Sequence, residues 1–280
     1  MMKIEKEMTI FKNLEEVKEI GQISINSIVN ADCLEAMKYI KDKSIDMVLC
    51  DLPYGTTACK WDTIIPFEPL WEQYKRIIKD NGAIVLTASQ PFTSALVMSN
   101  IKMFKYEWIW EKSRTVGFLN AKNAPLKQHE NILVFSKGMM ANCNKNNMCY
   151  FPQGLVEINE VKKSVKQTGD TIVGTRPSRN KDYISTHTGY PKSLIKINNE
   201  SKQIHPTQKP VALFEYLIKT YTNEGDLVLD NCAGSFTTAT ACENTNRNWI
   251  CIEKDEKYCE IGLKRIKENI NKRTEIQNLF

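Results

Sequence analysis

The chain of 280 residues is long enough for one substantial domain, or for a core domain that carries a smaller insertion. With 42% hydrophobic and 25% charged residues, its composition is that of a globular protein. No apolar run approaches the roughly 18 residues of a membrane span, and residues 1–13 lack the apolar core of a secretory signal. We therefore expect a cytoplasmic protein with no membrane partner.

The nine cysteines and three histidines indicate neither disulfides nor a metal site. The number of cysteines is odd, no CxxC pair occurs, and Cys50, Cys232 and Cys251 sit in apolar, strand-like runs. Buried free thiols are the preferred interpretation. Because the histidines and cysteines show no ligand spacing, no metal is predicted.

The formal net charge of +5 is only mildly basic and separates few classes of protein by itself. Its distribution is more informative, since residues 139–200 hold nine Lys/Arg against five Asp/Glu, an excess of four positive charges. This segment is also rich in Asn, Thr and Ser and has no sustained hydrophobic period. Both features predict an insertion with a weak core.

Short apolar runs alternate with amphipathic stretches on either side of this segment, which is typical of an α/β domain with a parallel sheet. The final stretch, 254–272, has the mixed charges of a solvated helix. The other predicted elements are, in chain order, strand 27–29, helix 33–40, strand 45–50, helix 67–80, strand 83–86, a helix opened by Pro91, strands 105–111 and 131–136 with antiparallel pairing, helix 211–220, strand 227–229, a helix from Thr238, and strand 249–253.

The second half of the chain carries the pattern of a nucleoside site. A strand ends at Asp230, a turn of small residues runs from Asn231 to Ser235, and the next strand ends at Glu253. A glycine at such a turn lets the backbone approach a ligand, and an acid about 20 residues further on is placed to accept ribose hydroxyls. A plain strand–loop–helix with surface acids is the alternative. A dehydrogenase is disfavoured because the turn lacks the G-x-G-x-x-G pattern that cradles a pyrophosphate.

The first half places Asp51-Leu52-Pro53-Tyr54-Gly55 directly after a predicted buried strand. Ligands of open α/β sheets bind at the carboxyl ends of the strands, where this carboxylate and aromatic ring would lie. Taken alone, the segment is equally consistent with an ordinary turn, since Pro and Gly are common in loops.

Together the two segments resemble the DNA amino-methyltransferases, in which a D-P-P-Y motif reacts and a D-x-x-x-G-S-G-T turn holds the cofactor. The resemblance extends over roughly residues 26–270. Further segments that are similar to the family's are Asn30-Ala31-Asp32-Cys33, Trp110-Glu111-Lys112, His129-Glu130-Asn131-Ile132 and His205-Pro206-Thr207-Gln208-Lys209-Pro210. The order of the motifs is that of the family's beta group.

The resemblance implies a Rossmann-like methyltransferase sheet with helices on both faces and an inserted target-recognition region. The implied divisions are an N-terminal extension (1–25), a catalytic half (26–138), the target-recognition region (139–200) and a cofactor-binding half (201–280). Double-stranded DNA is the implied substrate. A homodimer and a cognate restriction endonuclease stay open as partners.

The resemblance also implies S-adenosylmethionine as the cofactor and assigns residues to three roles. The implied catalytic residues are Asp51, Leu52, Pro53 and Tyr54. The implied cofactor-binding residues are Asp32, Cys33, Asp51, His205, Thr207, Lys209, Asp230, Cys232, Gly234, Ser235, Thr237 and Glu253. The implied DNA-binding residues are Lys112, Asn120, His129, Arg176, Arg179 and Lys181, although His129 could equally cap a strand.

The exocyclic nitrogen of adenine is a poor nucleophile because its lone pair is delocalised into the ring. A carboxylate at Asp51 and the backbone carbonyl of Leu52 can accept its two N–H groups, while Tyr54 offers a surface for stacking an extruded base. Two positions depart from the family pattern. Leu52 replaces a proline, which matters little if only its carbonyl acts, and Phe236 stands where the family usually has glycine.

Three alternatives remain open at this point. Cytosine N4 could be the target, although the enzymes that modify it more often carry Ser at the position of Asp51. The chain could be a non-enzymatic DNA-binding relative in which the bulk of Phe236 has ended cofactor binding. RNA or protein amide methylation is a third route. The covalent cysteine route to cytosine C5 lacks support, because the sequence contains no Pro-Cys dipeptide.

Overall fold

A computed structural model describes residues 8–57, 59, 62–141, 144–162, 183–200 and 208–277. The chain separates into two compact units, one made of residues 1–151 and 193–280 and the other of residues 152–192. Within the described ranges, no helix is both long enough and apolar enough to cross a membrane.

In the larger unit, nine strands of the described chain form one sheet, and β7 and β8 pair separately in the smaller unit. The order across the sheet is β1-β2-β11-β10-β3-β4-β6-β5-β9. Strand β6 runs antiparallel to both of its neighbours, as predicted, and the other pairs are parallel. The strands are β1 Thr9–Phe11, β2 Ser27–Asn30, β3 Ile45–Asp51, β4 Ile78–Ala88, β5 Phe104–Val116, β6 Lys127–Phe135, β7 Val156–Lys162, β8 Tyr183–Thr188, β9 Leu194–Lys196, β10 Leu227–Asp230 and β11 Asn248–Glu253.

Helices cover both faces of this sheet because its central strands are apolar on both sides. In β3, Val48 and Cys50 face the core cluster that includes helix α3, whereas Met47 and Leu49 face the cluster that includes helix α5. The predicted α/β sheet with two covered faces is therefore confirmed. The helices are α1 Leu14–Ile20, α2 Cys33–Met37, α3 Phe67–Ile77, α4 Phe92–Ser99, α5 Val211–Tyr221, α6 Thr237–Asn244 and α7 Glu256–Gln277, with a 3-10 turn at Phe118–Asn120.

Two regions differ from the predicted elements. Helix α3 ends at Ile77 rather than at residue 80, and the chain enters β4 at once. Gly82 permits this, since a Cβ there would lie 2.7 Å from the carbonyl oxygen of Asp46 in the neighbouring strand. Strand β1 and helix α1 were not predicted, although Asn13, which caps the helix start, and Gly21, which ends it with a φ of 77°, are recognisable signals.

The inserted unit is shorter than the predicted segment 139–200. Met148 and Ile195, both inside that segment, are buried in the core of the larger unit, and β9 pairs with β5. Apolar side chains near its two ends therefore tie the predicted insertion to the main sheet. In the smaller unit β7 and β8 pair antiparallel, and residues 163–182 lie outside the described residues.

Candidate active site

A cavity of about 900 Å³ opens at the carboxyl ends of β3, β10 and β11. This volume is at the upper end of the roughly 300–1,000 Å³ of ligand pockets. The sequence-predicted residues that line it are Asp32, Cys33, Asp51, Leu52, Pro53, Tyr54, Lys112, Lys209, Asp230, Cys232, Gly234, Ser235, Thr237 and Glu253. Parallel strands bring these distant segments together because their carboxyl ends share one edge of the sheet.

Two of the predicted residues that the structure describes do not line this cavity. Asn120 and His129 are exposed on the β5–β6 hairpin. Arg176, Arg179, Lys181, His205 and Thr207 lie outside the described residues.

Asp230 ends β10 and is held by neutral donors. One carboxylate oxygen accepts the backbone N–H of Cys232 at 3.1 Å, and the other accepts the hydroxyl of Thr238. Burial raises the pKa of Asp230 to about 6, even though these hydrogen bonds oppose the shift. Asp230 therefore fixes the turn that follows it without the help of a cation.

Glu253 ends the neighbouring strand and contacts the same turn. Its oxygens accept the N–H of Gly234 at 2.8 Å and that of Asp255 at 2.9 Å, and burial raises its pKa. Gly234 has a φ of 49°, and a Cβ built there meets no atom within 4 Å. The sequence pattern predicts this carboxylate as the acceptor of ribose hydroxyls, and it lies beside an open turn in the cavity wall.

The side chain of Phe236 points into the core and not into the cavity. The residue is fully buried and adopts the left-handed conformation, with a φ of 58°, that favours glycine. Its ring lies against Gly262 of α7, where an added Cβ would be 2.0 Å from a ring carbon. Gly262, which has no side chain, therefore leaves the space that the ring of Phe236 occupies.

Asp51, the last residue of β3, receives three hydrogen bonds. Tyr54 donates its hydroxyl to Oδ1 at 2.7 Å, Thr87 donates to the same oxygen, and the ammonium of Lys209 lies 2.6 Å from Oδ2. Burial and the neighbouring Asp51 carboxylate raise the pKa of Tyr54, so its hydroxyl stays protonated and acts as a donor. The Tyr54 ring stacks on Phe92, with 5.2 Å between the ring centroids.

Glu130 and Lys112 extend this arrangement into a buried group of four charges. Glu130 lies 3.3 Å from Lys209 and 2.9 Å from Lys112. Burial would raise the pKa of Glu130, but the two lysines outweigh it and lower that pKa. Burial would likewise lower the pKa of Lys209, yet Asp51 and Glu130 raise it. The two acids and two lysines thus form one group whose formal charges sum to zero.

Sequence reasoning missed several of these contributors and gave Lys112 a different place. Lys112 was predicted to contact DNA, but its side chain is only 9% exposed and its ammonium is directed at Glu130 inside the cavity. Glu130 belongs to a segment noted for its resemblance, but its pairing depends on register between strands. Arg265 was also missed, and it supports the cofactor turn by donating to the carbonyl of Ser235 at 2.7 Å.

None of the described cysteines forms a disulfide; five are buried, as predicted, whereas Cys149 and Cys232 are partly exposed and Cys59 is exposed. Across the same residues, no group of three or more His, Cys, Asp or Glu side chains could hold a metal ion.

The structure is an open α/β sheet of Rossmann-like architecture, with an acid at the carboxyl end of each of β3, β10 and β11. Solved structures of other proteins have the same fold. The M1.HpyAVI–SAM complex has a TM-score of 0.54 at 24% identity, covering 85% of this chain and 98% of that one. The cytosine-N4-specific PvuII DNA methyltransferase has a TM-score of 0.59 at 16% identity, covering 89% and 93%.

The sequence then identifies the family. Residues 45–264 match the N6/N4 family described as DNA methylase, and the chain belongs to it. Its relatives include the type II methyltransferase M.HpaI of Haemophilus parainfluenzae, 26% identical over 87% of this chain and 75% of that protein. The DNA adenine methyltransferase YhdJ of Escherichia coli is 28% identical over 86% and 82%. The predicted DNA methyltransferase activity and its cofactor, S-adenosylmethionine, are thereby confirmed.

Proposed function

We propose that the chain methylates the N6 amino group of adenine in double-stranded DNA, with Asp51 as the acceptor that activates the amino group. The observation that carries the proposal is the state of the Asp51 carboxylate at the cavity wall. A carboxylate offers about four acceptor positions, and three are used by Tyr54, Thr87 and Lys209, which leaves one on Oδ2. An amino N–H can occupy that position.

The exocyclic nitrogen needs two acceptors to localise its lone pair, and the backbone carbonyl of Leu52 would be the second. After the nitrogen gains a methyl group it must lose one proton, which Asp51 can accept and pass to solvent. Pro53 would restrict the backbone between these acceptors. Tyr54, supported by Phe92, would stack on the extruded base.

Bound S-adenosylmethionine would supply an electrophilic methyl group on a sulfonium. Glu253 would accept its ribose hydroxyls, Gly234 would allow close approach of the backbone, and Asp230 would hold the turn in place. The remaining contacts would come from Asp32, Cys33, Cys232, Ser235 and Thr237, with His205 and Thr207 closing over the cofactor.

Lys209 and Glu130 would act on the reaction through Asp51. The ammonium of Lys209 holds the Asp51 carboxylate in one position, and Glu130 keeps the ammonium there. Lys112 balances the second carboxylate. The formal charges of these two acids and two lysines sum to zero, which matters because the cofactor brings its own positive charge into the same cavity.

Cytosine N4 is the competing target, since the PvuII enzyme of that specificity shares this fold. The presence of Asp rather than Ser at position 51 and the name of the relative YhdJ favour adenine. Residues 139–200, with Arg176, Arg179 and Lys181, would recognise the DNA sequence. Relatives named as type II methyltransferases support a cognate restriction endonuclease as partner.

The test is to express the chain in cells that lack adenine methylation and to sequence their DNA with detection of modified bases. We expect N6-methyladenine at one short sequence, and none in cells that carry the empty vector. Modification of cytosine alone would refute the proposal. The same experiment yields the recognition sequence.

A further inference from the structure

The β5–β6 hairpin carries two apolar side chains at its tip that nothing in the methyl-transfer site uses. Phe118 is 67% exposed and Leu119 is fully exposed. The tip is nevertheless ordered, because Asn120 donates its N–H to the carbonyl of Gly117 at 3.0 Å and Ala124 donates to that of Asn120 at 2.9 Å. An ordered turn that presents Phe and Leu to solvent indicates a contact surface.

Strand β5 of the hairpin passes the position of the Asp51 carboxylate in the sheet and continues beyond it. Asp51 pairs with Thr87, Thr87 with Ile132, and Ile132 with Trp108, so Trp108 lies across the sheet from Asp51. From Trp108 the strand continues for eight residues to Val116, about 25 Å at the usual rise of a β-strand. The tip therefore lies well beyond the edge of the sheet where the cavity opens.

One side of the hairpin forms a wall of the cavity. Lys112, Arg114 and Val116, which alternate along β5, all line it. Asn199, which also lines the cavity, braces the strand, since its side-chain oxygen accepts the N–H of Arg114 at 3.3 Å and its own N–H is donated to Ser113. The tip is thus held in place just past the mouth of the cavity.

The charge around the tip matches a nucleic-acid backbone. Residues 113–129 contain three cations, Arg114, Lys122 and Lys127, and no Asp or Glu.

We infer that Phe118 and Leu119 form a wedge that enters the DNA duplex and fills the space left by the extruded target base, while the surrounding cations hold the phosphates. This inference rests on the proposed function, because it requires base extrusion into the cavity. Apolar side chains that insert between base steps occur in other DNA-binding proteins, and a positive rim supplies the sequence-independent part of the affinity. Arg114 and Lys122 flank the wedge in sequence.

The test compares the variant F118S/L119S with I20S, whose parent Ile20 is 66% exposed on α1 and does not line the cavity. The substrates are two duplexes that contain the sequence found by modification detection. In one the target base is fully paired, and in the other it faces an abasic site, which removes most of the cost of extrusion. Methyl transfer is measured in a single turnover with saturating cofactor.

We expect F118S/L119S to be at least tenfold slower than the wild type on the paired duplex and within threefold of it on the abasic duplex, with I20S unchanged on both. Wild-type speed on the paired duplex, or an equal loss on both duplexes, would overturn the wedge. A change of molecular mass in solution for F118S/L119S alone would assign the tip to self-association and also overturn it. Failure of the wild type to methylate any DNA would instead refute the proposed function.

Discussion

The two halves of the cavity hold their carboxylates in opposite ways. In the cofactor half, Asp230 and Glu253 accept from backbone N–H groups and a hydroxyl, and neither pairs with a cation among the described residues. In the reacting half, Asp51 and Glu130 share the ammonium of Lys209. Neutral donors do not cancel the negative charge of Asp230 and Glu253, which can therefore attract a ligand that carries hydroxyl groups and a positive charge. The lysines cancel the negative charge of Asp51 and Glu130.

The pKa values express this difference. Burial raises the pKa of both Asp230 and Glu253. Glu130 is also buried, but Lys209 and Lys112 lower its pKa. The cofactor half therefore holds its acids without cations, whereas in the reacting half the lysines hold the acids in position.

The largest expected effect is the loss of turnover in Asp51→Ala. Removing the acceptor should reduce methyl incorporation by about a thousandfold or more, because it stabilises charge that develops on the amino nitrogen. Affinity for S-adenosylmethionine should fall by no more than about tenfold, or about 1.4 kcal/mol, because only the charge balance changes and the residues proposed to hold the cofactor lie mainly in the other half. Calorimetry and single-turnover assays measure the two quantities.

The control for that variant is Asp80→Ala, which removes a surface carboxylate paired with Lys43 and should leave both quantities within twofold. A parallel loss of cofactor affinity and turnover in Asp51→Ala would show that the two halves are not separable.

The next effect concerns the packing beneath the cofactor turn. Gly262→Ala should lower the free energy of unfolding by about 3 kcal/mol, because the added methyl group would overlap the ring of Phe236. In a Phe236→Gly background the same change should cost less than about 0.5 kcal/mol, because the ring is gone and alanine favours a helix. Urea denaturation of the four proteins gives the coupling, and additive losses would contradict the packing account.

A pH series tests the cofactor half directly. The pKa of Asp230 is about 6 when folded, against about 3.9 for an unperturbed aspartate, so the folded chain binds a proton more tightly than the unfolded chain. The stability that this proton provides is present at low pH and lost as pH rises through 6. Relative to Asp230→Asn, the wild type should thus lose about 2–3 kcal/mol between pH 4 and 7, measured by denaturation without cofactor.

Asp80→Asn serves as the reference for this series, because Asp80 is a surface group whose pKa the ammonium of Lys43 lowers. An unchanged or rising stability of the wild type relative to Asp230→Asn would contradict the assignment of a raised pKa to this carboxylate.

The smallest expected effect tests whether Glu130 balances the charge of the cavity or only holds Lys209 in place. Glu130→Gln leaves a net positive charge beside the cofactor, so affinity for the cationic S-adenosylmethionine should fall about tenfold more than affinity for its neutral demethylated thioether. Calorimetry with both ligands measures the ratio. Glu111→Gln, which removes the partner of Lys196 and lies on β5 next to the strand of Glu130, is the control and should leave the ratio unchanged.

The sequence was sufficient for the parts of this comparison that depend on local pattern. Apolar runs and the acids that follow them placed Asp51, Asp230 and Glu253 at strand ends. Because the strands were predicted to be parallel, the three acids were expected at the same edge of the sheet. What the sequence did not show depends on register and packing. The pairing of Glu130 with Lys209 requires strands distant in sequence to align, and the accommodation of Phe236 requires Gly262, 26 positions later in the chain.

The identity of the methylated base tests the central claim most directly. Purified protein is incubated with S-adenosylmethionine and unmethylated duplex DNA, the DNA is digested to nucleosides, and the products are identified by mass. We expect N6-methyl-2′-deoxyadenosine as the product of the wild type and no such product with Asp51→Ala. N4-methyldeoxycytidine as the sole product, or equal amounts of product with Asp51→Ala, would contradict the central claim.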